Sequence, residues 1–151
     1  MKNGLHFDNY DNLLFQLAGS KRALLFPPED AAHLYYSSEG TNIRRHTFSL
    51  ADGFGNETVH EAVRKNVAMI NVFDDDVATS HPTIAKASPT VCQLNAGDAL
   101  FLPKAWHHAV ISAAEGRRNV AVNTWYDLKG STTPVARASS LEELFQPEGC
   151  R

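Results

Sequence analysis

Four short apolar segments follow one another closely in the final third of the chain, and their spacing constrains the fold more than any other feature. Turn-forming residues separate them, most clearly Asn95-Ala96-Gly97-Asp98. The four predicted strands are Thr90–Leu94, Ala99–Leu102, Ala109–Ser112 and Asn119–Tyr126. Short strands at this spacing are typical of antiparallel barrels and sandwiches.

The first thirty residues have the same β character. We predict strands at residues 4–8, 12–17 and 21–26. The second and third are predicted to form a hairpin, since they flank the turn Ala18-Gly19-Ser20. Pro27 and Pro28 then end the strand and begin a short helix over Glu29–Leu34. Both ends of the chain therefore predict a mostly β fold with short helices in the connections.

The middle of the chain carries weaker patterns. Residues 37–56 are rich in Ser, Gly, Asn and Asp, which predicts a loop. Asn56 is predicted to cap a helix over Glu57–Lys65, and Val67–Phe73 is predicted to be a strand. The run Asp74-Asp75-Asp76 indicates a solvated acidic loop rather than a metal site, because adjacent carboxylates repel each other.

Composition and charge narrow the class of protein. The 151 residues suffice for one domain with a modest core. A net charge of −3 does not support nucleic-acid binding, since domains that bind nucleic acid through its phosphates usually carry an excess of positive charge. No apolar run approaches the ~20 residues that span a bilayer, and no secretory h-region follows the N-terminus. Cys92 and Cys150 are predicted to be reduced thiols. These features predict a cytoplasmic or nuclear protein without a membrane partner.

Two histidines and an aspartate carry the candidate chemistry. His6 and Asp8 are one residue apart, and a strand places such residues on one face. Alone, this pair is more often two polar residues on a solvated strand. The run Trp106-His107-His108 adds a third donor, and two imidazoles with one carboxylate form the facial triad of non-haem Fe(II) oxygenases. His107 and His108 face opposite sides of a strand, so periodicity leaves open which one is the ligand.

Lys21 begins a predicted strand. Most such lysines lie in solvent, but a lysine that projects into a barrel can hold a dicarboxylate as a point charge. Its neighbour Arg22 would then face outwards. Further candidates for lining a pocket, each on its own more often structural, are Asn12, Gln16, Asn123 and Trp125.

Three runs together resemble a known family. Residues 6–30, HFDNYDNLLFQLAGSKRALLFPPED, resemble the first metal motif of the cupin-like Jumonji-C (JmjC) oxygenases. Residues 97–110, GDALFLPKAWHHAV, are similar to their second motif, and Asn123-Thr124-Trp125-Tyr126 resembles the strand that closes their barrel. Among subfamilies, the tRNA wybutosine-synthesising hydroxylases and the asparaginyl hydroxylases are the most similar. The resemblance implies a double-stranded β-helix, the jelly-roll barrel of the cupin type.

The resemblance also implies a chemistry. Family members use Fe(II), the co-substrate 2-oxoglutarate and O₂ to hydroxylate a C–H bond, so a 2-oxoglutarate-dependent dioxygenase is implied here. His6 and Asp8 match the first two metal ligands. In the family the third ligand stands five residues after the proline of the Leu-Pro element. That proline is Pro103, so the matching ligand is His108, which leaves His107 as the non-ligand.

Four further residues match co-substrate positions of the family. Lys21 matches the lysine that pairs with the distal carboxylate of 2-oxoglutarate. Asn12 and Asn123 match polar positions that line the same pocket, and Asn3 stands where some members put a hydroxyl that helps to bind that carboxylate. The implied prime substrate is a protein side chain, a modified nucleoside or a small molecule, and the net charge does not support tRNA.

The chain departs from the family pattern in three places. Only five residues precede His6, where members carry a further barrel strand. Residues 37–76 form a longer insertion, and the helical C-terminal extension is nearly absent. We therefore expect a cupin-like domain over residues 1–130, lacking one N-terminal barrel strand, and a polar tail over residues 131–151. An open barrel edge predicts a homodimer.

Two other functions stay open at this point. The short N-terminal region favours a non-catalytic cupin-type binding or scaffold module, or a truncated fragment of an oxygenase, because fold does not fix function. A zinc hydrolase is a further alternative, since zinc also accepts His and Asp ligands. Lys21, placed for a dicarboxylate, argues for the oxygenase instead.

Overall fold

A computed structural model of the protein describes residues 1–48, 57–113 and 118–127. Its strands are β1 (Lys2–Phe7), β2 (Asp11–Ala18), β3 (Ser20–Phe26), β4 (Thr41–Phe48), β5 (Glu57–Arg64), β6 (Thr90–Leu94), β7 (Ala99–Leu102), β8 (His107–Ala113) and β9 (Val120–Tyr126). Two 3₁₀ helices, Pro28–His33 and Pro82–Lys86, and one α-helix, Val77–Ser80, lie in the connections. The prediction of a mostly β fold with short helices is confirmed.

Two antiparallel sheets share one core. The first has the strand order β1-β8-β3-β6, and the second has the order β7-β2-β9. Successive side chains of a strand alternate between its faces, and the inward-facing set forms the core. This core consists of Leu14, Ala23, Leu25, Cys92, Leu94, Leu100, Leu102 and Val110. The arrangement agrees with the predicted jelly roll, which has eight strands. Within the described ranges, β9 has β2 on one side and no strand on the other.

A second core covers the outer face of the four-stranded sheet. It consists of Leu5, Phe26, Leu34, Ala68, Ile70 and Ala109. The covering residues come from the segments that follow β3 and β5, and their burial removes apolar surface from water at about 25 cal/mol per Å². The sheet that carries His6 and His108 is therefore packed on both faces, which holds its strands rigidly.

The predicted hairpin between the second and third strands is wrong. β2 pairs with β7 and β9, whereas β3 pairs with β6 and β8. The turn at Gly19 therefore carries the chain from one sheet to the other. Gly19 has a φ of +71°, and an added Cβ would lie 2.9 Å from the Arg118 carbonyl oxygen. The turn is visible in the sequence, but the partner of each strand is not.

The middle of the chain differs most from its prediction. β4 lies within the predicted loop, and the predicted helix over Glu57–Lys65 is the strand β5, which pairs with β4 along its whole length. Val59 and Val63 have helical spacing, but β-branched residues also favour strands, and the partner strand decides the outcome. Residues 49–56, with the predicted cap Asn56, lie outside the described residues.

The connection after β5 contains no regular strand. Val67 and Ala68 form only isolated bridges, to His6 and Tyr36 respectively, so the predicted strand Val67–Phe73 is wrong. The bridges attach this connection to β1 through His6 and to the segment after the first 3₁₀ helix through Tyr36. The acidic residues 74–76 are exposed, as a solvated loop requires.

Two further observations concern the class of protein. Cys92 is buried in β6 and is disulfide-bonded, so the prediction of a reduced thiol is wrong at this position. Cys150 and the predicted tail over residues 131–151 lie outside the described residues. No helix in the described part of the chain is long and apolar enough to cross a membrane.

Candidate metal centre

His6, Asp8 and His108 lie together at one end of the four-stranded sheet. His6 pairs with His108 across the antiparallel ladder of β1 and β8, and Asp8 follows directly after β1. The centroids of the two imidazole rings are 4.2 Å apart. One possible ligand atom from each of the three side chains lies within 4.8 Å of the other two. Two nitrogens and one oxygen gathered in this way fit a single divalent cation.

Backbone carbonyls fix the tautomers of both imidazoles. His6 Nδ1 lies 2.8 Å from the carbonyl oxygen of Gly4, and His108 Nδ1 lies 3.1 Å from that of Trp106. Because a carbonyl oxygen only accepts, each Nδ1 carries a hydrogen, and in the neutral ring Nε2 is then the nitrogen with the lone pair. His108 Nε2 lies 4.0 Å from Asp8 Oδ2. Metal-binding histidines are commonly oriented by such a bond from the other ring nitrogen.

His108 is held in its neutral form. Its pKa is lowered to about 4, mainly by burial and secondly by the neighbouring His6. The Trp106 carbonyl and Asp8 act in the opposite direction but do not outweigh burial. At neutral pH this imidazole therefore has no proton to lose before it binds a cation.

Asp8 is oriented from two directions. Trp125 Nε1 donates a hydrogen bond to Asp8 Oδ2 at 3.3 Å, and the Ala105 backbone N–H donates to the Asp8 carbonyl oxygen at 3.0 Å. Ala105 has a φ of 68°, in the left-handed region that costs a non-glycine residue about 1 kcal/mol. The turn before β8 thus ties Asp8 to the strand that carries His108.

The structure separates the two neighbouring histidines. His107 points to the opposite face of β8, where it is buried beside Phe7 and its Nδ1 lies 2.9 Å from the Tyr36 hydroxyl oxygen. Burial is the main cause that lowers the pKa of His107. The geometry therefore places His108, and not His107, with His6 and Asp8.

Lys21 points into the same interior as His108. In the ladder of β3 and β8, Lys21 lies opposite Ser112 and Leu25 lies opposite His108, so Lys21 and His108 share a face. Lys21 Nζ donates to Ser112 Oγ at 2.7 Å and to Asn119 Oδ1 at 3.1 Å. Burial lowers the pKa of this ammonium group. Both partners are neutral, so among the described residues the charge of Lys21 has no carboxylate partner.

Two predicted pocket residues are buried on the inner face of β2. Asn12 and Gln16 are almost fully enclosed, and Asn12 Oδ1 and Gln16 Oε1 have no hydrogen-bond partner within the described part of the structure. A buried polar atom without a partner costs about 1–3 kcal/mol. These two oxygens are therefore acceptors open to a molecule inside the barrel.

Asn3 and Asn123, two further predicted pocket residues, are exposed. Asn3 lies on β1, and a β-bulge between Asn3 and His6 puts both on the inner face. Asn123 lies on β9 opposite the inward-facing Leu14, yet it is exposed because β9 is an edge strand within the described ranges. Neither residue contacts the cluster of His6, Asp8 and His108 by a described hydrogen bond.

The sequence does not predict the two residues that accept hydrogen bonds from Lys21, which are Asn119 and Ser112. Asn119 Oδ1 accepts from Lys21 and from Gln16, while its Nδ2 donates to two backbone carbonyl oxygens. Ser112 accepts the shorter bond from Lys21. Lys21 lies 91 positions from Ser112 and 98 positions from Asn119 in the chain, so no local sequence pattern indicates either bond. The sequence makes Trp125 a candidate for lining the pocket, but no local pattern predicts its bond to Asp8.

The residues that build both sheets also match a family of known proteins. A family model described as "Cupin-like domain" matches residues 1–132. The chain belongs to the cupin-like domain family. This membership confirms the fold class and the resemblance that the two histidine-containing motifs predict.

Curated relatives of this cupin-like protein are longer than it is. Human "tRNA wybutosine-synthesizing protein 5" is 33% identical over 150 residues, which cover 92% of this chain and 38% of that protein. Human "Bifunctional peptidase and (3S)-lysyl hydroxylase JMJD7" is 30% identical over 127 residues, which cover 83% and 38%. "Lysine-specific demethylase JMJ32" of Arabidopsis thaliana is 32% identical over 142 residues, which cover 82% and 38%. The chain thus spans 38% of the length of these relatives, whose names include a hydroxylase and a demethylase.

Proposed function

We propose that this cupin-like protein is an Fe(II)- and 2-oxoglutarate-dependent dioxygenase that hydroxylates its substrate. The observation that carries the proposal is the meeting of His6, Asp8 and His108 within 4.8 Å. The donor set suits Fe(II), because two imidazoles and one carboxylate on one side of the ion leave positions open for other ligands.

The division of labour follows from the chemistry of the groups. When bound, Fe(II) and 2-oxoglutarate supply the oxidation: 2-oxoglutarate and O₂ become succinate and CO₂ while one oxygen atom enters a C–H bond. The residues of the chain bind and orient. His6 and His108 present nitrogen lone pairs, and Asp8 presents a negative oxygen whose direction Trp125 restrains.

Lys21 supports the co-substrate half of the proposal. It lies four positions from His108 in the β8 register, roughly 13 Å along the strand, and faces the same interior. A dicarboxylate that chelates the metal through one end would direct its other end towards this cation. Ser112, which accepts from Lys21, keeps its own hydroxyl hydrogen for the same carboxylate.

The prime substrate we propose is a protein side chain, a modified nucleoside or a small molecule. The names of the relatives mention lysine or lysyl groups and a tRNA. The net charge of −3 favours a protein or a small molecule as substrate, because binding to the phosphates of a tRNA usually needs an excess of positive charge.

Turnover of the co-substrate tests this function. Protein purified without oxygen would be supplied with Fe(II), 2-oxoglutarate and O₂, and succinate would be measured for the wild type, His108→Ala and the control His33→Ala. We expect succinate from the wild type and from His33→Ala, and a loss of at least 100-fold, on the order of 3 kcal/mol, in His108→Ala. Undiminished turnover in His108→Ala, or none in metal-loaded wild type, would overturn the proposal.

A non-catalytic binding module of the cupin type is the second candidate. It is favoured by the exposure of Trp125, at 53%, and of Asn123 on the inner face of β9. An open wall beside the metal ligands admits water, which weakens electrostatic control of a reaction. This candidate predicts binding of the metal or of 2-oxoglutarate without succinate formation in the same assay.

A further inference from the structure

The outer face of the three-stranded sheet is apolar and exposed. Six large side chains on this face are open to solvent, with Leu17 at 57% and Val122 at 46% exposure. They are Phe15, Leu17, Phe101, Val120, Val122 and Tyr126. The outer face of the four-stranded sheet, in contrast, is covered by the second core. We call the six residues the apolar face.

The strand register makes the apolar face continuous. Phe15, on the central strand β2, lies directly opposite Val122 of β9 and Ala99 of β7. Phe101 lies opposite Leu13, the next outward-facing residue of β2. Directly opposite side chains in a ladder have Cβ atoms about 4.5–5.5 Å apart. The face is therefore one patch across three strands and not a scatter of single residues.

The apolar face carries almost no charge, although the chain as a whole has a net charge of −3. Alternation puts Thr124 among its few polar members and only one charged residue, Asp11, at its end. Asp11 is already engaged, since its Oδ1 accepts from the backbone N–H of Lys104 at 2.8 Å. Two such faces can therefore meet without repulsion between like charges.

The size of the apolar face suits a modest dimer. With areas of about 150–250 Å² for the three aromatic residues and roughly 150 Å² for the three aliphatic ones, the exposed fractions leave roughly 500 Å² of the six residues open to solvent. The largest apolar patch of a typical monomer covers about 300–600 Å² and is often functional. Two copies would bury about 1,000 Å² in total, which is the lower end of specific protein interfaces.

We propose that the apolar face is the interface of a homodimer in which two copies pack their three-stranded sheets face to face. A twofold axis brings the same patch together from both copies, which an uncharged, self-complementary surface allows. Sheets packed in this way lie about 10 Å apart with interdigitated side chains. Such an interface uses the face of the sheet, whereas the sequence predicted a homodimer through the barrel edge.

Sedimentation velocity of the metal-free protein from low to high micromolar concentration tests the interface. We expect a dimer for the wild type and at least a tenfold weaker dimer for Val122→Lys, because the substitution buries a charge between the sheets. Val63→Lys on β5 is the control, since Val63 is similarly exposed, at 58%, and lies outside the apolar face. A wild type that stays monomeric, or a Val122→Lys dimer as strong as the wild type, would overturn the proposal.

Hydroxyl-radical footprinting of the wild type covers the case in which Val122→Lys does not fold. As concentration rises, oxidation of Tyr126 should fall, while oxidation of Tyr10, which is exposed outside the apolar face, should stay constant. Equal behaviour of the two tyrosines would contradict the proposed interface. Neither experiment needs metal or co-substrate, so failure here leaves the dioxygenase proposal standing.

Discussion

Trp125 on β9 donates its indole N–H to Asp8 Oδ2 across 3.3 Å, and so joins a strand of one sheet to a candidate metal ligand that directly follows β1 of the other. This bond links two segments 117 positions apart. Outer partners of this kind orient metal ligands. The contact therefore makes the geometry of the candidate metal centre depend on both sheets.

Replacement of Trp125 tests that dependence. We expect Trp125→Phe to weaken Fe(II) binding by about 10–100-fold, because the carboxylate loses the donor that orients it. Anaerobic metal titration would measure the effect. Tyr126→Phe, on the other face of the same strand, is the control and should bind like the wild type. Equal affinities for Trp125→Phe and the wild type would show that the indole does not orient Asp8.

The stability of the metal-free protein should depend on His108 in mild acid. The pKa of His108 is about 4 when folded, against 6.5 when exposed, so the unfolded chain binds more protons between these values. The contribution is fully present above pH 6.5 and is lost as the pH falls towards 4, by at most about 3 kcal/mol. Urea unfolding at several pH values should therefore show a shallower acid loss in His108→Gln than in the wild type. Parallel pH profiles for the two proteins would contradict the buried neutral imidazole.

Lys21 and its neighbour Arg22 offer a matched pair of substitutions. Lys21→Met should weaken the binding of 2-oxoglutarate by about 10–100-fold, since a hydrogen bond to a charged group contributes about 1.5–3 kcal/mol. Arg22→Met should have no effect, because Arg22 is exposed on the outer face of β3. Isothermal titration with metal-loaded protein would compare them. Metal affinity should stay unchanged in both variants, and a loss of metal in Lys21→Met would point to a structural role instead.

The bond between Tyr36 and His107 should stabilise the fold without serving the metal. Tyr36→Phe removes the hydroxyl at 2.9 Å from His107 Nδ1 and leaves a buried nitrogen without its partner. We expect a loss of about 1–3 kcal/mol in the free energy of unfolding. Tyr10→Phe, at an exposed site, should change it by less than about 0.5 kcal/mol. Chemical denaturation would measure both, and weaker Fe(II) binding in Tyr36→Phe would show that His107 serves the site after all.

The strands whose bounds the sequence predicts correctly are those that are specified by their own residues and not by their partner strands. Thr90–Leu94 and Ala99–Leu102 have the predicted bounds because alternating apolar residues lie on each side of a turn with Gly97, whose φ is +101°. The pattern of residues 57–65 predicts a helix, but pairing with β4 makes Glu57–Arg64 the strand β5. The false hairpin at Gly19 has the same origin, since local turn chemistry does not specify distant partners.

In the candidate site, too, the sequence predicts some features and not others. His6, Asp8 and His108 could be chosen from their motifs, and the structure brings them together. The groups that orient them could not be predicted, since the Trp125 bond to Asp8 depends on how the two sheets face each other. For Lys21, the sequence suggested an inward cation, but its restraint by Asn119 arises only in the folded chain.

Metal binding itself tests the account most directly. Anaerobic titration of the purified protein with Fe(II), followed by removal of free metal and elemental analysis, would give the amount bound per chain. We expect one tightly bound ion in the wild type and in His33→Ala, and none in His108→Ala or Asp8→Ala. A wild type that retains no metal, or a His108→Ala variant that retains as much as the wild type, would contradict the claim that His6, Asp8 and His108 form one metal site.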